Sequence, residues 1–504
     1  MKSFSRCIPF IVIITVVALA SCAVGPNFRS PNMATPDHYT AAPLPAQTAS
    51  AQSENGTAQR FAFAKDLPGE WWTLFRSDSL DSLVRMALDN SQTLIQAQAM
   101  LKQAQEDLNA RTGATQYPAV DAGLSITRQQ MDLASYGISN VPNPGPFNLY
   151  NASVSVSYTL DIFGGNRRAL EGLKAKVDYQ DFELEAARQT LAANVVTTAI
   201  LEASLRAQLN TTRGVIEIHQ KRLDVIQKQF ELGAVSKTEV LAQETELAMT
   251  RAGMPPLEKQ LDLNRHALSV LIGQFPGDGK LPEFSLESLH LPEELPVSLP
   301  SNLAHQRPDV RASEALLHQA CAAVGVATAN LYPQITLSAG YGFQAVSTDI
   351  LFNGESVVWN FGAGLLQPLF RGGELTAKRR GAIAAYDQAA AQYRQTVLKA
   401  FQDVADVLRA LEADARTLQA QVEAEAAAKS VLALIEKQYE LGAVSYPALL
   451  IAQRDYQKTR INVVAAGAQR YADTAALFQA LGGGWWNRES TSLKPKFIQE
   501  ENKE

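Results

Sequence analysis

Cysteine is scarce in this chain: 504 residues contain three, Cys7, Cys22 and Cys321. Only Cys321 lies beyond residue 22, so the body of the chain has no internal disulfide even in an oxidising compartment. Long apolar runs are missing too. No stretch of about 18 apolar residues occurs, which excludes a membrane-spanning helix, and any membrane crossing must use β-strands. Positive charge is in short supply. The formal net charge is −6, which disfavours nucleic acid or anionic lipid as a main partner. Catalytic signatures are absent: there is no His-Glu-x-x-His, no Cys-x-x-Cys, no phosphate loop and no nucleophile elbow. Gly482-Gly483-Gly484 is followed by no Lys-Ser/Thr and reads as a helix-ending turn. His318 and Cys321 share a helix face at i, i+3, but two ligands without a third read as a packed face rather than a metal site. Seven Met and six His form no metal-rich tract. No enzymatic role, cofactor or metal is expected. Proline is also absent between Pro146 and Pro255 and between Pro368 and Pro447, which leaves room for very long helices.

The N-terminus carries an export signal. Lys2 and Arg6 precede an apolar stretch, Ile8 to Ala20, too short to span a bilayer as a helix. It ends in Leu19-Ala20-Ser21-Cys22, which resembles the bacterial lipobox, with cleavage before Cys22 and acylation of that residue. The following residue is Ala23 rather than Asp, which by the same resemblance implies the outer membrane. Residues after Cys22 are rich in Pro, Ala, Ser and Thr and read as an extended tether.

The body is a duplication. Phe230-Glu231-Leu232-Gly233-Ala234-Val235-Ser236 returns 209 residues later as Tyr439-Glu440-Leu441-Gly442-Ala443-Val444-Ser445. Tyr117-Pro118 returns as Tyr332-Pro333, and Phe163-Gly164-Gly165 as Phe370-Arg371-Gly372-Gly373. Each half holds two alternating segments. Asn151 to Phe163 is the clearest: Ala152, Val154, Val156, Tyr158, Leu160 and Ile162 alternate with Ser153, Ser155, Ser157, Thr159 and Asp161. Val120 to Thr127, Ile335 to Phe343 and Trp359 to Leu365 follow the same period. A one-faced soluble sheet shows this pattern, and so does a transmembrane barrel strand. Loop residues separate the strands of each pair, at Asn140 to Pro146 and Asp349 to Glu355.

Each second strand leads into a long helix, Asn166 to Glu231 and Glu374 to Glu440. At 1.5 Å per residue each reaches about 100 Å. Heptad seams run through both. Leu205, Leu209, Thr212, Ile216, His219, Leu223, Ile226 and Phe230 form one, and Val397, Phe401, Val404, Leu408, Leu411, Ala415, Leu418 and Val422 the other. His219 is a polar residue in its seam, read as tolerated there rather than as a pH sensor. Gly233 and Gly442 suit left-handed C-caps, and Ser236 and Ser445 suit N-caps of returning helices that run to about Ile272 and Leu481.

Four strands cannot close a barrel, so the barrel must be shared; three chains supply twelve strands. With Cys22-Ala23-Val24-Gly25-Pro26, Trp71-Trp72, Arg307-Pro308-Asp309-Val310-Arg311, the paired Leu-Gly-Ala-Val-Ser turns and Gly482-Gly483-Gly484-Trp485, the chain resembles TolC/OprM-type outer-membrane efflux channels over residues 22–487. The resemblance is to the lipoprotein branch that serves resistance-nodulation-division pumps. It implies a homotrimer with a twelve-stranded β-barrel and a long α-helical periplasmic barrel. The implied role is a passive exit duct that takes drugs, metal ions or other small molecules from an inner-membrane pump and a periplasmic adaptor to the exterior. The alternatives are a non-channel coiled-coil envelope scaffold, which has no use for four barrel-length strands, and an envelope hydrolase, which lacks a catalytic constellation. The expected organisation is a signal peptide (1–21), lipidated tether (22–69), first repeat (70–275), linker (276–306), second repeat (307–487) and polar tail (488–504).

Two sites follow from the resemblance. Leu232, Gly233, Ala234, Val235 and Ser236, with Leu441, Gly442, Ala443, Val444 and Ser445, are the expected adaptor-docking tips. Capping accounts for Gly and Ser but not for the repeated Ala-Val. The expected channel constriction comprises the aromatic Phe230 and Tyr439, the acidic Glu239, and an apolar stretch, Leu449, Leu450 and Ile451. Ala448 and Ile451 stand where relatives often carry Asp, and Val444 stands where a locking Arg occurs, so an Arg–Asp latch is not expected. A dewetting gate and plain packing into the seam are both open for Leu449, Leu450 and Ile451.

Overall fold

The computed structural model describes residues 23–31, 36–53, 55–137, 140–279 and 281–488. The lipobox at Cys22, the signal segment before it and the tail after Arg488 lie outside these. In chain order the elements are β1 (Arg60–Phe63), α1 (Asp78–Asn90), α2 (Gln92–Gln116), β2 (Ala119–Gln129), β3 (Phe147–Leu160) and α3 (Gly165–Glu231). Then come α4 (Lys237–Ala252), α5 (Met254–Leu271), β4 (Glu294–Val297), α6 (Pro300–Gln306) and α7 (Pro308–Ala329). The last are β5 (Gln334–Ala345), β6 (Val357–Leu366), α8 (Glu374–Glu440) and α9 (Tyr446–Ala480). Among the described residues no helix is long and apolar enough to cross a membrane.

The chain divides into two units. The described residues of the first are 23–31, Met100–Gln180 without 138–139, and Ala312–Tyr393. At its centre is an antiparallel sheet in the order β2-β3-β5-β6. Register carries the apolar alternation across all four strands. Val120, Val156, Ala339 and Phe361 stand in one row, and Ala122, Val154, Tyr341 and Trp359 in the next. The opposite face carries Asp121, Ser155, Gly340 and Asn360 in a row. Val120, Tyr341, Trp359 and Phe361 are exposed, so the apolar face is uncovered within the chain. β3 begins and ends earlier than the alternation predicts. Asp161 leaves the sheet because its carboxylate accepts the Asn166 and Arg167 backbone N–H groups, both at 2.9 Å, and so opens α3.

The segment after Cys22 is packed in this unit. Val24 N–H donates to the Phe163 carbonyl at 3.0 Å, and the Arg168 guanidinium donates to Asn27 Oδ1 at 2.6 Å. Phe28 stacks on His318 with centroids 4.3 Å apart, and Cys321 Sγ lies 3.7 Å from the Pro26 carbonyl. His318 and Cys321 are thus a packed face that receives this segment.

The described residues of the second unit fall within 36–99, Asp181–Arg311 and 394–488. Both heptad seams are largely buried: Leu205, Leu209, Thr212, His219, Leu223 and Ile226 in one, Val397, Val404, Leu408, Leu411, Ala415 and Leu418 in the other. Trp71 and Phe75 pack with Tyr471 and Phe478. The buried Glu202 is paired with Arg206 at 2.9 Å and Arg265 at 2.5 Å, which ties α3 to α5. Arg307 binds Asp309 at 2.7 Å, Asp403 at 3.1 Å and the Ala480 carbonyl at 3.0 Å. The Arg-Pro-Asp motif therefore closes the end of α9, where Gly482, Gly483 and Gly484 all take positive φ.

Three expectations change here. The first returning helix is broken into α4 and α5 at Gly253, because Pro255 and Pro256 lack the N–H groups a continuous helix needs. The expected tether is instead a strap over much of its length. β1 pairs in parallel with β4, and the buried Arg470 donates to the Asn55 carbonyl at 2.6 Å and the Thr57 carbonyl at 2.7 Å. The expected linker likewise holds β4 and α6 rather than irregular chain alone.

Candidate functional site: the hairpin ends

Both long helices end in the same way. Ala234 N–H reaches back to the Gln229 carbonyl at 2.8 Å and Gly233 N–H to the Phe230 carbonyl at 2.9 Å. In the second repeat Ala443 and Gly442 bond Gln438 and Tyr439 at 2.8 and 2.9 Å. These are Schellman turns, and they require the positive φ that Gly233 (75°) and Gly442 (69°) supply. Ser236 Oγ accepts the Glu239 N–H at 3.4 Å. Ser445 occupies the same N-cap position without a side-chain bond, and Pro447 sits in the first turn after it. Leu232 and Leu441, which no cap requires, are 85% and 83% exposed. The two turns thus present matched apolar side chains over a backbone with open space beside each glycine.

A polar layer beyond the turns joins the hairpin of the first repeat to that of the second. Tyr439 Oη donates to Glu239 Oε2 at 3.0 Å. Burial, then the Glu239 carboxylate, push the Tyr439 phenol up to about 12. Arg222 pairs with Glu436 at 3.2 Å and Arg454 with Glu246 at 2.5 Å. Gln243 Nε2 lies 3.1 Å from His219 Nδ1 and also donates to the His219 carbonyl at 2.9 Å, while Tyr446 Oη donates to Gln243 Oε1. Gln457 Nε2 lies 2.9 Å from His219 Nε2. Burial lowers the His219 pKa from its ordinary value and so favours the neutral ring.

The expected constriction residues separate into two groups. Phe230 is exposed, with Lys237 Nζ 5.6 Å from its ring centroid, and Ile451 is 56% exposed. Tyr439 and Glu239 meet each other. Leu449 and Leu450, however, are buried with Leu223, Ile226, Val240, Leu247 and Tyr446. They pack inside the hairpins and are removed from the candidate gate. The His219–Gln243–Tyr446 network was not read from the sequence. Its signal was Gln243 and Glu246 at i, i+3 on the face of α4 that packs inward.

The outer membrane efflux protein family model matches residues 83–274 and 299–483. The pyoverdine export outer membrane protein OpmQ of Pseudomonas aeruginosa is 31% identical over 422 residues, covering 82% of this chain and 87% of its own. The toluene efflux pump outer membrane protein TtgF of Pseudomonas putida is 28% identical over 486 residues, covering 95% and 97%. Among solved structures, the outer-membrane channel OprN superposes with a TM-score of 0.82 at 25% identity, covering 92% of this chain and all of its own. The Campylobacter jejuni CmeC channel shares the fold, with a TM-score of 0.81 at 22% identity over 96% of this chain and 98% of its own. With its long helices, its four-stranded sheet with an exposed apolar face and these matches over nearly its full length, the chain belongs to the outer membrane efflux protein family and is an outer-membrane component of an efflux system.

Proposed function

We propose that three copies form one passive duct, and that the six hairpin ends receive a periplasmic adaptor coupled to an inner-membrane pump of the resistance-nodulation-division type. The observation that carries the duct is the sheet of the first unit. Its exposed apolar rows suit lipid, its Ser, Thr and Gly face suits a wet lumen, and β2 and β6, paired on one side with β3 and β5, each leave their outer edge without a strand partner among the described residues. An open edge cannot face hydrocarbon, because each unpaired backbone group there costs several kcal/mol. The repeated turns support docking, since their matched Leu232 and Leu441 are unused within the chain. Phe230, Tyr439, Glu239 and Ile451 narrow the passage near the same end. Cys22 is the lipid attachment site, so the protein is both anchored to and inserted in the outer membrane.

The deciding measurement is conductance of the detergent-purified protein in a planar bilayer. Discrete, voltage-stable conductance steps are expected. A trimeric, membrane-inserted protein without conductance would favour the coiled-coil scaffold instead.

A further inference from the structure

The internal repeat contains its own copy of the contact that neighbouring subunits must make. β2 and β5 are equivalent, since Tyr117-Pro118 enters one and Tyr332-Pro333 enters the other. β3 and β6 are equivalent, since Phe163 follows one and Phe370 the other. The β3–β5 ladder therefore joins the first repeat to the second within the chain. In a closed ring the same junction recurs between copies, where β6 of one meets β2 of the next.

At the base of the internal junction Phe163 stacks on Tyr332, with ring centroids 4.8 Å apart. Among the described residues their counterparts Phe370 and Tyr117 have no such partner, and they are 89% and 67% exposed. Tyr332 is only 40% exposed. We propose that Phe370 of one copy stacks on Tyr117 of the next, and that β6 and β2 pair in the register this stack dictates: Phe361 opposite Ile126, and Asn360 opposite Thr127. This inference rests on the shared-barrel reading and specifies its interface.

Two features of the chain agree with that register. Side-chain parity is preserved: Phe361 and Ile126 both belong to the apolar face, and Asn360 and Thr127 both to the polar face. A one-residue slip would set apolar side chains against polar ones across the junction. Ladder length is preserved as well. The internal ladder, Tyr150–Leu160 on Ile335–Ala345, carries over to 357–367 on 120–130, within one residue of the observed bounds of β6 and β2. The two hairpins of the chain do differ by two residues in register, Ala119 lying opposite Ser157 but Gln334 opposite Leu366. Matching hairpins instead of aromatic anchors would place Asn360 opposite Gln129, the parity-conserving competitor. The anchors decide because they sit at the junction itself.

Disulfide trapping tests this in the full-length, detergent-extracted protein with Cys321→Ser. A disulfide needs Cβ atoms about 4 Å apart, which directly opposite residues meet and diagonal neighbours, about 7–8 Å apart, do not. Asn360→Cys with Thr127→Cys is expected to give a covalent trimer on non-reducing gels. Asn360→Cys with Ser125→Cys or with Gln129→Cys should give little. Ser157→Cys with Ser338→Cys, opposite each other within the chain, is the positive control. Phe370→Ala and Tyr117→Ala should each lower the temperature at which the trimer dissociates, and the double variant should lose no more than the larger single loss. Trapping through Gln129 or Ser125 instead would overturn the register while leaving the trimer standing. No trapping at any interchain pair, with light scattering still showing a trimer and the control pair closed, would overturn the strand junction. No trapping together with a folded monomer would sink the shared barrel itself.

Discussion

At the residue scale, His219 and Gly442 show what one side chain decides. His219 is buried between α3, α4 and α9, and its ring nitrogens face the Gln243 and Gln457 amides. Burial lowers its pKa, Glu246 and the Gln457 bond oppose that shift, and Arg222 reinforces it. Above the ordinary value of 6.5 the ring is neutral in both folded and unfolded chains and adds no pH dependence. Below 6.5 the unfolded chain takes a proton that the folded chain resists, so stability falls with pH until the lowered folded value is passed. Thermal melts between pH 7.5 and 5.5 should show Tm declining below pH 6.5, with a shallower decline in His219→Gln. An unchanged slope in that variant would assign the decline to other groups. At Gly442 the positive φ makes any side chain cost about 1 kcal/mol, so Gly442→Ala measures the backbone cost alone. Gly442→Trp adds bulk where the space beside the glycine is open, so the fold tolerates it but a docked partner does not. Adaptor cross-linking and efflux should fall for Trp far more than for Ala, at equal trimer yield. Normal efflux in both Gly442→Trp and Gly233→Trp would mean that the turns are only caps.

At the element scale, the two hairpins are held to each other by the polar layer and by the apolar cluster of Leu449, Leu450 and Tyr446 with Leu223, Ile226, Val240 and Leu247, and the Tyr439–Glu239 bond is the link of that layer formed by expected constriction residues. Removing Tyr439 Oη leaves Glu239 half-buried without that donor. A single neutral–charged bond of this kind contributes about 1.5–3 kcal/mol. Tyr439→Phe and Glu239→Gln should each raise single-channel conductance or its open fraction, and the double variant should add little to either. Additive effects would show that the two residues act separately. The same elements show what a sequence reveals. The heptad seams were legible because burial follows apolar period, and the turns were legible because only glycine fits a left-handed cap. Leu449-Leu450-Ile451 was ambiguous because three successive apolar residues carry no period, and packing alone sends two inward and one outward. The start of β3 was hidden because Phe147 and Leu149 fall on the polar parity, and its end because Asp161 continues the alternation while its carboxylate serves the helix. β1 and β4 are four residues each and pair across more than 200 positions, so no local pattern announces them.

At the scale of the whole molecule, the proposed lipid anchor and the apolar face of the sheet are two separate routes to the membrane, and they can be tested apart. The apolar rows of the sheet give affinity for hydrocarbon that is independent of any lipid, about 25 cal/mol for each Å² of apolar surface taken from water. The lipid signal is a separate claim that rests on Leu19-Ala20-Ser21-Cys22. The residues that follow are held: Val24 bonds the Phe163 carbonyl where β3 gives way to α3, and Phe28 stacks on His318. An acyl chain on Cys22 would therefore start two residues from a fixed point at the end of a barrel strand. Cys22→Ser should abolish metabolic labelling with palmitate and slow signal cleavage. It should leave trimers in the outer-membrane fraction, because the strands and their closure do not involve residue 22. Labelling that persists in Cys22→Ser would sink the lipoprotein reading. Loss of inserted trimer together with loss of label would mean that the barrel's own apolar face is insufficient, and that the lipid anchor is a condition of assembly rather than an addition to it.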